Sequence, residues 1–185
     1  MSDPVPLTGE PLALDLVNTR TAVGDLLAAP DDLRTWLELQ AERLPGAHGA
    51  ALGPDDLAAV HAVREHTANA LERARHGRPP AAADLAALND AQRAAPAITE
   101  LTWNGSAVTA GRGRTGPAGA RLAARLAEAA ADLLTDPAVT KIRQCEADDC
   151  VLLFLPAHPR RRWCSAARCG NRVRVARHYQ RRKPA

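Results

Sequence analysis

Apolar residues recur at helical spacing through most of the first 135 positions. Asp31 and Asp32 precede a segment in which Leu33, Trp36 and Leu37 share one face, and this pattern predicts a helix over residues 31–44. Further apolar stripes with proline or glycine at their ends predict helices over residues 54–77, 82–95 and 117–135. The larger, N-terminal part of the chain is therefore predicted to be a helical domain.

Two segments are less regular. Leu12, Leu14 and Leu16 alternate but also fit a short helix, so periodicity leaves their structure open. Residues 97–110 contain an alternating apolar pattern that is interrupted by Asn104-Gly105. Asn-Gly between such runs is typical of a β-hairpin with a two-residue turn, and we expect a small hairpin here.

Composition and charge divide the chain near residue 140. Aromatic residues make up only 3% of the sequence, so the core must consist mainly of Leu, Ala and Val, which favours helices. Residues 1–140 hold 12 Lys and Arg against 18 Asp and Glu, whereas residues 141–185 hold 12 against 3. The formal charge thus changes from −6 to +9, which predicts two domains, 1–140 and 141–185, with different partners. Neither a secretory signal nor a membrane span is evident, so we expect a cytoplasmic protein with reduced cysteines.

All four cysteines lie in the basic part. Cys145, Cys150, Cys164 and Cys169 follow the pattern C-x4-C-x13-C-x4-C, and two such pairs can supply the four thiolates of a structural zinc site. One alternative is that the cysteines are disulfide-bonded or merely buried. Another is that His158 or His178 replaces a cysteine as a zinc ligand. Gly170 is expected to need a positive φ after the last ligand, and Asn171 is expected to cap the final helix.

The final helix is strongly basic. At about 100° per residue its apolar residues fall on one side and its arginines form a stripe on the other. Arginine binds phosphate bidentately, so the stripe and the preceding arginines predict nucleic-acid binding. The alternatives are a solvated face and a surface for an acidic partner. The candidate nucleic-acid-binding residues are Arg160, Arg161, Arg162, Arg168, Arg172, Arg174, Arg177, Arg181, Arg182 and Lys183.

Two groups of motifs resemble known families. Cys145 and Cys150 with the strings Arg-Arg-Trp-Cys-Ser at 161–165 and Cys-Gly-Asn-Arg at 169–172 resemble the CGNR zinc finger over roughly residues 140–183. Residues 11–19 (PLALDLVNT) resemble the start of the bacterial ABATE domain. The resemblance implies a stress-induced transcription regulator of actinobacterial type with zinc on the four cysteines. The loop 155–160 lacks the Asp, Ser and Asn expected between the halves of that finger.

Enzymatic readings find little support. Residues 111–116 fit G-x-G-x-x-G, but a dinucleotide site follows a buried parallel strand, and the predicted hairpin makes this strand antiparallel. Asp15 with Asn18, and Glu65 with His61, could act as acid–base pairs, but nothing in the sequence links either pair to a nucleophile or a pocket. We therefore predict that the protein is not an enzyme. Asp15, Asn18 and Trp36 are polar or bulky residues around the apolar opening segment, and we expect them to line a pocket for a small-molecule effector.

The sequence thus predicts a mainly α protein: a helical domain with one small hairpin, followed by a treble-clef or ribbon-like module ending in the basic helix. We expect a zinc-dependent regulator that binds DNA in preference to RNA. Two alternatives remain open: a module that binds an acidic protein, and a thiol redox sensor with at least one exposed cysteine.

Overall fold

The structure is a computed structural model that describes residues 8–47 and 51–182, with side chains through residue 176. Its helices are α1 (Leu12–Val17), α2 (Pro30–Leu39), α3 (Pro54–Ala74), α4 (Ala82–Ala94), α5 (Ala118–Thr135) and α6 (Asn171–Arg182). Its strands are β1 (Arg20–Thr21), β2 (Gly24–Asp25), β3 (Ile98–Trp103), β4 (Val108–Gly113), β5 (Arg143–Gln144) and β6 (Leu153–Phe154). Each strand pairs antiparallel with its neighbour in sequence, which gives three small hairpins among the described residues.

The mainly helical architecture predicted from the sequence is confirmed. α3 begins with Pro54 at its first turn, and the Asp56 side chain accepts a hydrogen bond from the Gly53 backbone N–H at 2.8 Å. The opening segment forms the short helix α1, whose Leu14 and Leu16 are fully buried. α2 ends at Leu39 rather than Leu44, because the chain continues in tight turns in which Leu44 remains buried.

The core of the helical domain forms where α1, α3, α4 and α5 pack together. Leucine and alanine provide most of its buried side chains, as the shortage of aromatic residues predicts. Gly119 allows α5 to approach α3 closely: a Cβ at this position would lie 2.7 Å from the Asp56 Cα. The Gly119 backbone N–H donates instead to the Asp56 carboxylate at 2.7 Å, so one aspartate caps α3 and joins the two helices.

The β3–β4 hairpin is confirmed, but its turn is shifted by one residue. Asn104 accepts hydrogen bonds from the backbone of Ser106 and Ala107 at 3.0 Å, and Gly105, with φ of 100°, and Ser106 lie at the turn. The side chain of Asn104 thus holds the turn from its first position. β4 is antiparallel and largely exposed, so residues 111–116 do not follow a buried parallel strand.

The C-terminal module packs on the helical domain rather than hanging from a linker. A 3-10 turn (Pro137–Lys141) follows α5, and Ile142 and Leu153 then enter the core of the helical domain. A second, smaller apolar cluster contains three of the cysteines together with Ala147, Leu152 and Phe154. Within the described part of the chain, no helix combines the length and the apolar character needed to cross a bilayer.

Candidate metal centre and nucleic-acid interface

The first cysteine pair lies in the loop of the β5–β6 hairpin. Arg143 pairs with Phe154 and Gln144 with Leu153, so Cys145 directly follows one strand. The Cys145 backbone N–H donates to the Leu152 carbonyl at 2.9 Å, and the Cys150 N–H donates to the Ala147 carbonyl at 3.0 Å. These bonds close a tight loop that turns both thiols toward the same point.

The second pair lies just before α6. A π turn (Ala166–Gly170) carries Cys169, and the Ser165 hydroxyl accepts a hydrogen bond from the Arg168 backbone N–H at 3.3 Å. Ser165 therefore caps this segment, and the prediction that Asn171 is the cap is wrong, since Asn171 already has helical φ and ψ. A metal-binding loop in a hairpin and a second pair at a helix start form the arrangement of a treble clef.

Gly170 packs closely against Trp163 and does not have an unusual backbone conformation. It is absent from the described glycines with positive φ, so that prediction is wrong. A Cβ at this position would lie 3.2 Å from Cε3 of Trp163, and the glycine therefore lets the indole lie against the start of α6.

The four thiols have the geometry of one zinc site. Their Sγ atoms all lie within 4.8 Å of one another, with 3.8 Å between Cys150 and Cys164 and 3.6 Å between Cys164 and Cys169. A tetrahedron with Zn–S bonds of about 2.3 Å has edges of about 3.8 Å, so the described sulfurs fit the ion. None of the four cysteines is in a disulfide. Four thiolates fill the coordination sphere, so the zinc of this protein is structural.

The thiols of the cluster must lose their protons before they can bind zinc as thiolates. Burial raises the pKa of the Cys164 thiol far above its ordinary value and that of Cys150 to about 11. Burial raises the pKa of Cys145 as well, but hydrogen bonds from the backbone N–H groups of Cys164 and Ala147 and from the neighbouring thiols outweigh it, so this pKa is lowered. Four thiolates cannot coexist here without a divalent ion to offset their repulsion. Cys150 is half-buried, whereas the other three cysteines are buried.

Arg161 is half-buried, with 30% of its side chain exposed, and its guanidinium makes several contacts within the protein. Its guanidinium lies over the Phe154 ring at 4.5 Å and donates to the backbone carbonyl of Cys164 at 2.6 Å. It also forms an ion pair with Glu10 of the helical domain at 2.6 Å. The protein already engages the donors of this guanidinium, and the contact of Arg161 with nucleic acid stays a prediction.

The other described arginines of the zinc module differ in their exposure and in whether a carboxylate pairs with them. Arg162 pairs with Glu146 at 2.5 Å and Arg172 pairs with Asp149 at 2.6 Å. Arg160 and Arg174 are exposed and have no carboxylate partner among the residues that the structure describes. Arg168 is half-buried, and its Nη1 has no hydrogen-bond partner. The side chains of Arg177, Arg181 and Arg182 and the whole of Lys183 lie outside the described residues.

Asp15, Asn18 and Trp36 do not form the predicted pocket, since 0–3% of each residue is exposed. Asn18 instead holds the zinc module: its amide donates to the Leu153 carbonyl and accepts from the Leu153 N–H, both at 2.8 Å. Asp15 forms an ion pair with Arg43. Burial raises the pKa of the Asp15 carboxyl, and the hydrogen bond and charge of Arg43 lower it only in part.

Glu10 and Arg43 are the important residues that sequence reasoning missed. The Glu10 carboxylate pairs with Arg161 and accepts a hydrogen bond from the Leu155 backbone N–H at 2.8 Å, so it fixes the start of the 155–160 loop. Arg43 donates to the Glu10 carbonyl at 2.7 Å. Their partners lie far away in the sequence, so local patterns do not indicate these roles. The one available sign was that Glu10 directly precedes the motif at residues 11–19.

The comparisons with known proteins agree with the geometry. Residues 10–137 match the model of the ABATE family, which is described as a putative stress-induced transcription regulator. Residues 141–182 match the CGNR zinc finger. A search of curated proteins found no match. The ABATE match covers well over half of the chain, and the protein therefore belongs to the ABATE family and carries a CGNR zinc finger at its C-terminal end.

Proposed function

We propose that this ABATE-family protein is a cytoplasmic, zinc-dependent regulator that binds nucleic acid, DNA in preference to RNA, and that it is not an enzyme. The observation that carries the proposal is the charge of the zinc module, 12 Lys and Arg against 3 Asp and Glu, next to a helical domain of opposite sign. A closed zinc site offers no open position for catalysis. The family description adds stress as the condition to which the regulator responds.

Pairing inside the module does not exhaust its positive charge. Glu146 pairs with Arg162 and Asp149 pairs with Arg172, and a zinc ion with four thiolates contributes two negative charges to the +9 of the segment. Exposed Arg174 lies on the first turns of α6, and Arg160 lies on the loop before the second cysteine pair. Phosphate groups along a duplex would supply the anions that this surface lacks.

The test is fluorescence anisotropy of the zinc-loaded full chain with mixed-sequence duplex DNA and single-stranded RNA over a salt series. We expect the affinity for duplex DNA to fall with a log–log slope of about −0.9 for each phosphate contacted. Binding should be lost when Arg174, Arg177 and Arg181 are all changed to Glu. The matched control changes Arg20, Arg78 and Arg93 of the helical domain to Glu, with the same change in net charge.

Two results would contradict the proposal. Absence of binding at about 50 mM salt would assign the basic surface to an acidic protein, because a nucleic-acid interface is strongest at low ionic strength. Equal loss of binding in both triple variants would show only a general effect of net charge. Tighter binding of RNA than of DNA would correct the target but not the class of partner.

A thiol redox sensor is the second candidate function, because Cys150 is only half-buried. Oxidants attack accessible thiolates first, so Cys150 would react before the buried ligands. Mild peroxide should then release zinc, and a thiol reductant should restore it. Retention of zinc under conditions that oxidise free cysteine would end this proposal.

A further inference from the structure

A large cleft lies in the helical domain, away from the cysteine cluster. It encloses about 640 Å³, within the usual range for small-molecule sites. One wall is the face of α5 that carries Arg121, Arg125 and Asp132, and another is formed by residues 43–47 after α2. Arg112 and Arg114, at the end of the β3–β4 hairpin, complete the rim.

The cleft is cationic although the helical domain as a whole is acidic. Five arginines line it against two carboxylates, and one of these, Glu128, is already paired with Arg114. Arg112 and Arg121 are exposed and have no acidic partner among the described residues. Arg125 donates to the backbone carbonyls of Pro45 and Arg43, both at 3.1 Å. Burial and then the nearby charge of Arg114 lower the pKa of Arg125, while the charge of Glu128 acts in the opposite direction.

The remaining lining of the cleft is apolar. Leu12, Leu44, Leu52 and Leu122 contribute side chains from four different segments, and Ala97 and Ala129 lie beside them. A cationic rim beside an apolar wall suits a ligand that has an anionic head and an apolar body, because each part meets a surface that solvates it.

Arg43 connects this cleft with the zinc module. It lines the cleft, pairs with the buried Asp15, and donates to the Glu10 carbonyl at 2.7 Å. The carboxylate of the same Glu10 holds Arg161 and the Leu155 N–H of the zinc module. An anion that attracts Arg43 therefore competes with the contacts that set the position of Glu10.

We propose that this cleft is the effector site of the regulator: it binds a small organic carboxylate or phosphate with an apolar body, and the ligand acts on the zinc module through Arg43 and Glu10. The proposal rests on the proposed function in calling the ligand an effector. The binding itself is independent of nucleic acid and is tested without it.

Calorimetry of the zinc-loaded full chain tests the site with four probes: octyl phosphate, octanoate, neutral octanol and inorganic phosphate. We expect octyl phosphate or octanoate to bind with a stoichiometry of one, and octanol and inorganic phosphate to bind more than about tenfold more weakly, since each lacks one of the two contacts. Changing Arg112 and Arg121 to Glu should weaken binding of the anionic probes by at least the same factor. The matched variant with Arg20 and Arg78 changed to Glu should bind within about twofold of the wild type.

Zinc transfer to a chromogenic chelator tests the connection. A saturating anionic probe should change the rate of zinc release by about fivefold or more in the wild type. Glu10→Gln, which keeps the size of the side chain but removes its charge, should abolish this effect while the affinity for the probe stays within about twofold. Circular dichroism checks that each variant remains folded.

Several results would overturn the proposal. Equal binding of octanol and octyl phosphate would show a merely apolar site, and unchanged binding in the Arg112 and Arg121 variant would exclude the cleft. A selective loss of DNA binding in that variant without any probe would assign the cleft to nucleic acid. An unchanged rate of zinc release would refute the effector role. Absence of DNA binding with normal probe binding would contradict the proposed function and leave the site intact.

Discussion

The Asn18 amide provides the sharpest test of how the two parts of the protein are joined. It is 3% exposed, and it forms two hydrogen bonds of 2.8 Å with the backbone of Leu153, which lies 135 positions later. Asn18→Ala would leave a buried N–H and a buried C=O without partners. Each such group costs about 1–3 kcal/mol, so we expect the free energy of unfolding to fall by about 2–5 kcal/mol.

Urea unfolding of the zinc-loaded protein, followed by tryptophan fluorescence, measures this loss. Asn89→Ala is the matched control, because Asn89 is exposed on α4, and this change should stay within about 0.5 kcal/mol of the wild type. A loss below about 0.5 kcal/mol in Asn18→Ala would refute the reasoning, since the two bonds would then contribute nothing to stability.

Asn18→Asp separates the hydrogen bonds from simple packing. The ionised carboxylate of this variant can still accept from the Leu153 N–H, but it cannot donate to the Leu153 carbonyl and places a charge in a buried site. Protonation would restore the donor, so burial should raise the pKa of the new carboxyl. The deficit in stability relative to the wild type should then be full above that pKa and shrink as the pH falls through it. A deficit that is independent of pH would contradict this account.

Three further predictions concern other parts of the molecule. Gly119→Ala should destabilise the protein by about 1–3 kcal/mol or more in thermal unfolding, because the added Cβ would lie 2.7 Å from the backbone of Asp56; an unchanged melting temperature would show that the helices move apart freely. The hydrogen bond from Arg64 holds the pKa of Asp25 below its ordinary value of 3.8. This pair should therefore stabilise the fold above about pH 4, and the stabilisation should be lost as the pH falls further. Asp25→Asn should remove that part of the pH dependence of the free energy of unfolding. Chelation of zinc should unfold the C-terminal module but leave most of the α-helical circular dichroism, because the helical domain has its own core; loss of all helical signal would contradict this. Zinc uptake should release protons, so the apparent affinity for zinc should rise with pH.

The sequence predicted those features of the fold that depend on residues close together in the chain. Proline at the start of α3, the stripe of α5 and the hairpin around Gly105 depend on neighbours within a few residues, and the structure has all three. The four zinc ligands were predictable for a similar reason, because two short loops can bring their thiols together and few other chemistries need four clustered cysteines.

Residues whose roles depend on distant partners could not be predicted in the same way. Arg161 belongs to a basic run in the sequence, yet its guanidinium contacts the ring of Phe154 and the carboxylate of Glu10, which lies 151 positions earlier. Gly170 follows a ligand, where a turn is common, but its φ is not positive, and its distinctive feature is the close approach of the Trp163 indole. The large cleft is likewise assembled from segments that lie far apart between Leu12 and Asp132, and no single stretch of sequence shows it.

The polar residues of the opening segment now have a common explanation. Asn18 and Glu10 form hydrogen bonds with the backbone of the zinc module at Leu153 and Leu155. Asp15 forms an ion pair with Arg43, which in turn donates to the Glu10 carbonyl. The small apolar cluster of the module is built around its cysteines, so the helical domain supplies the remaining contacts that orient it. The carboxylate of Glu10 is matched by Arg161 and the amide of Asn18 is neutral, so these contacts use none of the arginines of α6. In the proposed effector role of the cleft, a ligand that disturbs Arg43 would act on the zinc module through Glu10, although the cleft itself contains none of the four cysteines.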